Sequence, residues 1–180
     1  MNTRLLFAAI VMAIIGTHSL SFSEEKIGIY INPDRVKGLP VNIVLELKKL
    51  NCQIPQGIYD HTNAIEGEFA IKGQKDWAVL CSANGKSNIY IFWGGSNKCA
   101  NVIAEESDEH YLYKQPNGGW EYYRGLGKVD KKFIIKHYEA YGGPKPPPIT
   151  HDAIDDIWLE KASVVHYCNE GKWVKLKGAD

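Results

Sequence analysis

Residues 76–81 and 88–93 are apolar at nearly every position and flank Ala83-Asn84-Gly85-Lys86, a segment with the composition of a hairpin turn. A strand that alternates apolar and polar residues can leave one face in water; a strand apolar on both faces cannot. The pair is therefore expected as a central pair covered on both faces. The rest of the chain has to supply those covers.

Helical periodicity supplies two of them. Val41, Val44, Leu45, Leu47 and Leu50 recur near the helical period, which predicts a helix from 41 to about 50, ended before Pro55, with one apolar face laid on a sheet. Asp130 reads as an N-cap for a second helix carrying Phe133, Ile134, His137, Tyr138 and Tyr141, stopped by Gly142-Gly143. Further strands are expected over 67–71, 99–105 and 109–114, the last two nearer an edge, with another resuming over 120–124. Residues 162–168 and 173–176 around Asn169-Glu170-Gly171-Lys172 make the clearest hairpin in the chain. Pro144-Lys145-Pro146-Pro147-Pro148 is a stiff extended connector. The reading is an α+β fold, mainly antiparallel β-sheet, with an N-terminal helix and a second helix before the C-terminal hairpin.

The N-terminus says where such a fold would work. Arg4, the apolar run of 11 residues from 5 to 15 and the small exit Ser19 to Ser23 form a secretory signal peptide. The run is too short to span a bilayer. Cleavage is expected before Glu24, or alternatively after Ser19, leaving residues 24–180 as one globular domain with no integral membrane segment. The leader holds one of the 21 basic residues and none of the 21 acidic ones, so the mature chain stands near −1. That balance gives no reason to expect a nucleic-acid partner. Only Arg4, Arg35 and Arg124 are arginines, which argues mildly against phosphate recognition. Cys52, Cys81, Cys99 and Cys168 read as two disulfides with three possible pairings. The strand reading favours Cys52–Cys81 and Cys99–Cys168. No CxxC pair exists to suggest a metal knuckle.

Two segments carry a resemblance. Gly67-Glu68-Phe69, Gly73 and residues 76–82 run on to residues 89–93. Later, residues 137–143 lead to His151-Asp152-x-Ile154-Asp155-Asp156, residues 161–167 and Gly171-Lys172-Trp173. Together, over 52–180, they resemble a group of small secreted bacterial proteins of unknown function, which implies an envelope or extracellular domain. The first segment also resembles one strand unit of FG-GAP-type propeller repeats, implying blade-like strand pairing. The calcium loop of those repeats is not carried over, because residues 70–75 offer no carboxylate or amide before Gln74.

The densest polar cluster is His151-Asp152-x-x-Asp155-Asp156. A histidine with three carboxylates can hold a cation or serve as acid and base. A metal site typically needs four or more ligands and no distant one can be nominated, so the favoured reading is a post-proline turn whose carboxylates cap local amides. His137 reads as a partly buried, hydrogen-bonded helix residue. His166 shares a strand face with Val164 and Cys168, but a Cys/His nucleophile pair is excluded by the expected disulfide and by their parallel side chains. No Gly-x-Ser-x-Gly element exists, and Gly125-Leu126-Gly127 lacks the third glycine and helix of a phosphate loop. Trp77, Phe92 and Trp93 are assigned to the core. Candidate binding residues are Tyr111, Trp120, Tyr122, His151, Asp152 and Asp155, the aromatics because exposed rings stack on sugars or anchor interfaces. The expectation is a secreted or periplasmic, non-enzymatic domain without cofactor or metal that binds an envelope protein or cell-wall glycan. The alternative is a small secreted hydrolase using Asp and Glu side chains.

Overall fold

The computed structural model describes residues 29–58, 63–96 and 99–180; the expected leader and its expected cleavage site lie outside the described residues. The described residues begin with β1 (Tyr30–Ile31), a 3-10 turn at Pro33–Arg35, α1 (Val41–Lys49) and β2 (Ile54–Pro55), which pairs with β1. Then come β3 (Ala64–Gly67), β4 (Asp76–Ala83), β5 (Lys86–Phe92) and β6 (Val102–Ser107), an antiparallel meander in the order β3-β4-β5-β6. A ribbon of β7 (Leu112–Lys114) and β8 (Trp120–Tyr122) follows. The second sheet is β9 (Arg124–Val129), β10 (Ala153–Trp158), β11 (Ala162–Asn169) and β12 (Lys172–Lys177), with α2 (Lys131–Tyr141) crossing between β9 and β10.

Alternation of side chains along each strand builds four layers. The inner faces of the two sheets meet: Ala78, Leu80, Ile89 and Ile91 pack with Leu126 and Ile154. The outer face of the first sheet carries Val79 and Cys81 beneath Ile43 and Leu47 of α1. The outer face of the second carries Val165, Tyr167 and Leu176 beside Ile134 of α2. The central pair β4–β5 is thus covered on both faces, and the fold is α+β, mainly antiparallel sheet. Asn84 and Gly85 turn the β4–β5 hairpin with φ of 54° and 76°, the left-handed pair an Asn-Gly turn supplies. Asp130 caps α2 by accepting from the Phe133 amide at 2.9 Å.

Three expectations are corrected. The strand placed at 67–71 lies earlier, at Ala64–Gly67. Residues 70–75 form a loop tied by the buried Asp76, whose carboxylate accepts from Ala70 N, Gln74 Nε2 and Gly94 N. The His151–Asp156 stretch is no turn: from Ala153 it is β10, an interior strand of the second sheet. On α1 the buried stripe is Ile43 and Leu47, whereas Val41, Leu45 and Leu50 face solvent.

The sandwich is closed along one side and open along the other. β3 runs beside β9, and the buried Asn63 stitches the seam, donating to Pro55 O and Arg124 O and accepting from Leu126 N at 2.9–3.1 Å. The opposite side holds both free edges, β6 and β12. At one end they are tied by the Cys99–Cys168 disulfide, by Trp93 stacked on Trp173 (5.9 Å between centroids), and by Trp173 Nε1 donating to Ala100 O. The other disulfide, Cys52–Cys81, fastens the end of α1 to β4. Both pairings are those the strand reading favours. Among the described residues no helix is long and apolar enough to cross a membrane.

Candidate functional site

At the other end of the open side the two sheets part around a pocket of about 190 Å³, lined by Ala104 and Glu106 of β6, by Asp156 and Trp158 of β10, by Ala162 to Val164 and His166 of β11, by Lys175 of β12, and by Tyr111 just before β7. Register explains the convergence. Asp156 pairs with Val164, Trp158 with Ala162 and His166 with Lys175, so these side chains share the inner face of one sheet.

The floor is an ion pair. Arg124 is fully buried and grips Asp156 with both prongs, Nε to Oδ1 and Nη2 to Oδ2, each at 2.8 Å. Its remaining donors reach Ser87 O and Oγ and Ala104 O, crossing from one sheet to the other. Burial works to raise the Asp156 pKa, and the Arg124 hydrogen bonds, with His166 close by, outweigh it, holding the carboxyl below its ordinary value. Burial likewise opposes the Arg124 charge, and the Asp156 pair more than restores it.

Behind the ion pair the polar chain continues. Ser87 Oγ accepts from the buried Tyr122 hydroxyl, which also lies 2.9 Å from Asp108 Oδ1; Ser82 donates to the other Asp108 oxygen. Burial, then the Asp108 charge, push the Tyr122 phenol well above its usual range, and the same two causes raise Tyr30. The network ends at a second, open pocket of about 320 Å³ beside Tyr30, Gln53 and Asn84.

The walls of the first pocket are aromatic. Tyr111 and Trp158 meet edge to face at 5.4 Å, and the Arg124 guanidinium lies 5.1 Å from the Tyr111 centroid. Lys161 sits 3.9 Å over the Trp158 ring. Burial raises the Tyr111 pKa, so the phenol keeps its proton. Two buried nitrogens at this pocket, Trp158 Nε1 and His166 Nδ1, have no hydrogen-bond partner among the described residues. Such groups cost free energy unless water or ligand serves them.

The residues nominated from sequence are dispersed by the fold. Tyr111 is a wall of the pocket. Tyr122 is fully buried in the network. Trp120 lies on the β7–β8 ribbon under Lys114, 5.8 Å from its ring centroid. His151 stacks on Tyr167 at 4.4 Å, and its ring nitrogens face Asp152 O and Cys168 O. Asp152 accepts from the Glu68 amide while its own amide donates to Glu68 O, a clasp across the closed seam. Asp155 is buried on the outer face beside Ser163 and Gly178. Burial raises its pKa, with the Asp156 charge adding to the effect against the opposing Ser163 hydrogen bond.

Sequence reasoning does not nominate Arg124, Trp158, Lys175 or Asn63 for the site or its frame; it places Asp156 in the His151–Asp156 cluster and His166 on the strand face of Cys168 without assigning either to binding. One signal pointed to the first: a rare arginine in a lysine-rich chain marks a place where a planar fork is needed. No family model, curated protein or solved structure matches the chain.

Proposed function

We propose that this is a non-enzymatic domain of the secreted or periplasmic space that binds a cell-wall glycan in the Tyr111–Trp158 pocket. A signal-peptide-like leader and two disulfides support the compartment. The observation that carries the binding reading is the pocket's make-up: two aromatic rings at 5.4 Å over a floor of fixed polar groups. Sugars are recognised by ring stacking joined to hydrogen bonds. Of the two partner classes expected, a protein is the less favoured, because about 190 Å³ is the share of roughly six waters, a space for one ring.

A specific observation also favours hydrolysis, since Glu106 and Asp156 line the same pocket. A glycosidase needs one carboxyl that holds a proton to give. It needs as well a second carboxylate free to attack or to activate water; both Asp156 oxygens are already gripped by Arg124, and binding ranks first. The test is retention of the oxidised mature protein on purified peptidoglycan, with Trp158→Ala and Tyr111→Ala as controls. Saturable retention lost in both variants supports the reading. Release of soluble sugar that stops in Glu106→Gln would instead establish the hydrolase.

A further inference from the structure

We infer that the pocket between β6 and β12 selects a carboxylated sugar, one whose ring stacks on the aromatic wall while its carboxylate meets Lys175. This rests on the binding reading above and adds its ligand class.

The argument is one of unmet valences. Asp156 and Arg124 satisfy each other, so the floor of the pocket carries little net demand for a counter-ion. Glu106, on the β6 wall, lies 3.5 Å from His110 Nδ1 and retains capacity to accept from hydroxyls. Lys175 differs: among the described residues its ammonium takes part in no hydrogen bond or ion pair. It stands directly across the strand pair from His166, within roughly 5.5 Å at Cβ. His166 is 2% exposed and its Nδ1 is unpartnered. Its Nε2 faces Asp156 Oδ2 at 3.7 Å. Trp158 Nε1, also unpartnered, can only donate. Trp158 Nε1 and the Lys175 ammonium therefore call for acceptors and a negative charge, and Glu106 for donors. A simple anion would satisfy the β12 wall and be opposed by Glu106; a neutral sugar would satisfy Glu106 and leave Lys175 idle. A sugar acid satisfies both, its hydroxyls toward Glu106 and its carboxylate toward Lys175.

The experiment is calorimetric titration of the oxidised full-length mature protein with glucuronate, glucose and acetate. Glucuronate is expected to bind at least about ten-fold more tightly than glucose, and the preference should shrink as salt rises. Lys175→Met should bring glucuronate affinity down to that of glucose measured on the same variant, and Lys175→Arg should keep most of the preference. Lys175 is on the exposed edge of β12, and matched unfolding curves for the two variants check that the fold is intact. Glucose binding as tightly as glucuronate, with both lost in Trp158→Ala, would overturn the acid selectivity and leave the glycan reading standing. Glucuronate affinity unchanged in Lys175→Met would overturn it too. Failure of all three probes, with peptidoglycan still retained through Trp158, would overturn the ligand class alone; failure of retention as well would overturn both readings.

Discussion

Three buried residues hold polar chemistry between layers that are otherwise apolar. Asn63 serves three backbone groups at once, two carbonyls and an amide on either side of the closed seam. Truncation strands them all, so Asn63→Ala should cost about 3 kcal/mol or more, read from the shift of a urea unfolding curve. Arg124, wholly buried, neutralises Asp156, whose side chain is 13% exposed. Arg124→Met leaves a buried charge unpaired and should cost about 3–5 kcal/mol at neutral pH. The Asp156 carboxyl is held below its ordinary value, so its contribution is complete above the unfolded value, about 3.9, and is lost as pH falls through the folded one. The gap between wild type and variant should therefore narrow in acid.

Asp155 has the opposite sign. Burial raises its pKa, so the stability tied to its protonated form is complete below the unfolded value and lost as pH rises through the folded one. Asp155→Asn does not ionise. The melting temperature of the variant minus that of wild type should grow between about pH 3 and about pH 7; a flat difference would remove Asp155 from the pH dependence. The two neighbours Asp155 and Asp156 differ because alternation sends one to the outer face beside Ser163 and the other to the inner face beneath Arg124.

At the scale of elements, α1 and β10 are instructive. A helix of nine residues cannot bury apolar groups on all sides of one sheet face, and Ile43 and Leu47, one turn apart, occupy the contact. Ile43→Ala should cost about 2–5 kcal/mol, whereas Val41→Lys, at a position 75% exposed, should stay within about 0.5 kcal/mol. Chemical denaturation of the two variants checks the assignment. In β10 the pattern AIDDIW hides a strand, because two adjacent carboxylates break the apolar run that periodicity looks for. Alternation sends the two carboxylates to different faces, Asp156 into its ion pair with Arg124 and Asp155 to a buried place beside Ser163, where its Oδ1 has no hydrogen-bond partner among the described residues. β9 is masked for a related reason: Gly125 and Gly127 weaken its strand signal, yet Gly127 lies against Ile157 and Asp155 of β10, where a larger side chain has little room.

Across the whole molecule, the closed seam relies on hydrogen bonds and the open side on a covalent link. Cys99–Cys168 spans 69 positions and joins the approach to β6 with β11; Cys52–Cys81 spans 29 and fastens α1 within its own half. Chain entropy assigns them about 4.4 and 3.6 kcal/mol. Replacing Cys99 and Cys168 with Ala should lower stability by the larger amount. It should also loosen the pocket side, read as faster hydrogen exchange in β6 and β12 than in β3 and β9.

The central hairpin, both helices and their stops, the C-terminal hairpin and the fold class were legible in the amino-acid sequence alone, because each rests on neighbours within a few residues: the Asn-Gly turn, the Asp130 cap, the period of apolar positions. The site was not. Its ion pair joins residues 32 positions apart, and the seam clasp of Asp152 to Glu68 joins residues 84 apart. No local pattern encodes such pairings. Tyr111 was legible as an aromatic but not as the wall of a pocket, and Tyr122, two strands on, met the fully buried fate that exposure alone decides. Only the stacking of two sheets, closed on one side by Asn63 and parted on the other, sets which polar residues are spent on the frame and which are left facing a ligand.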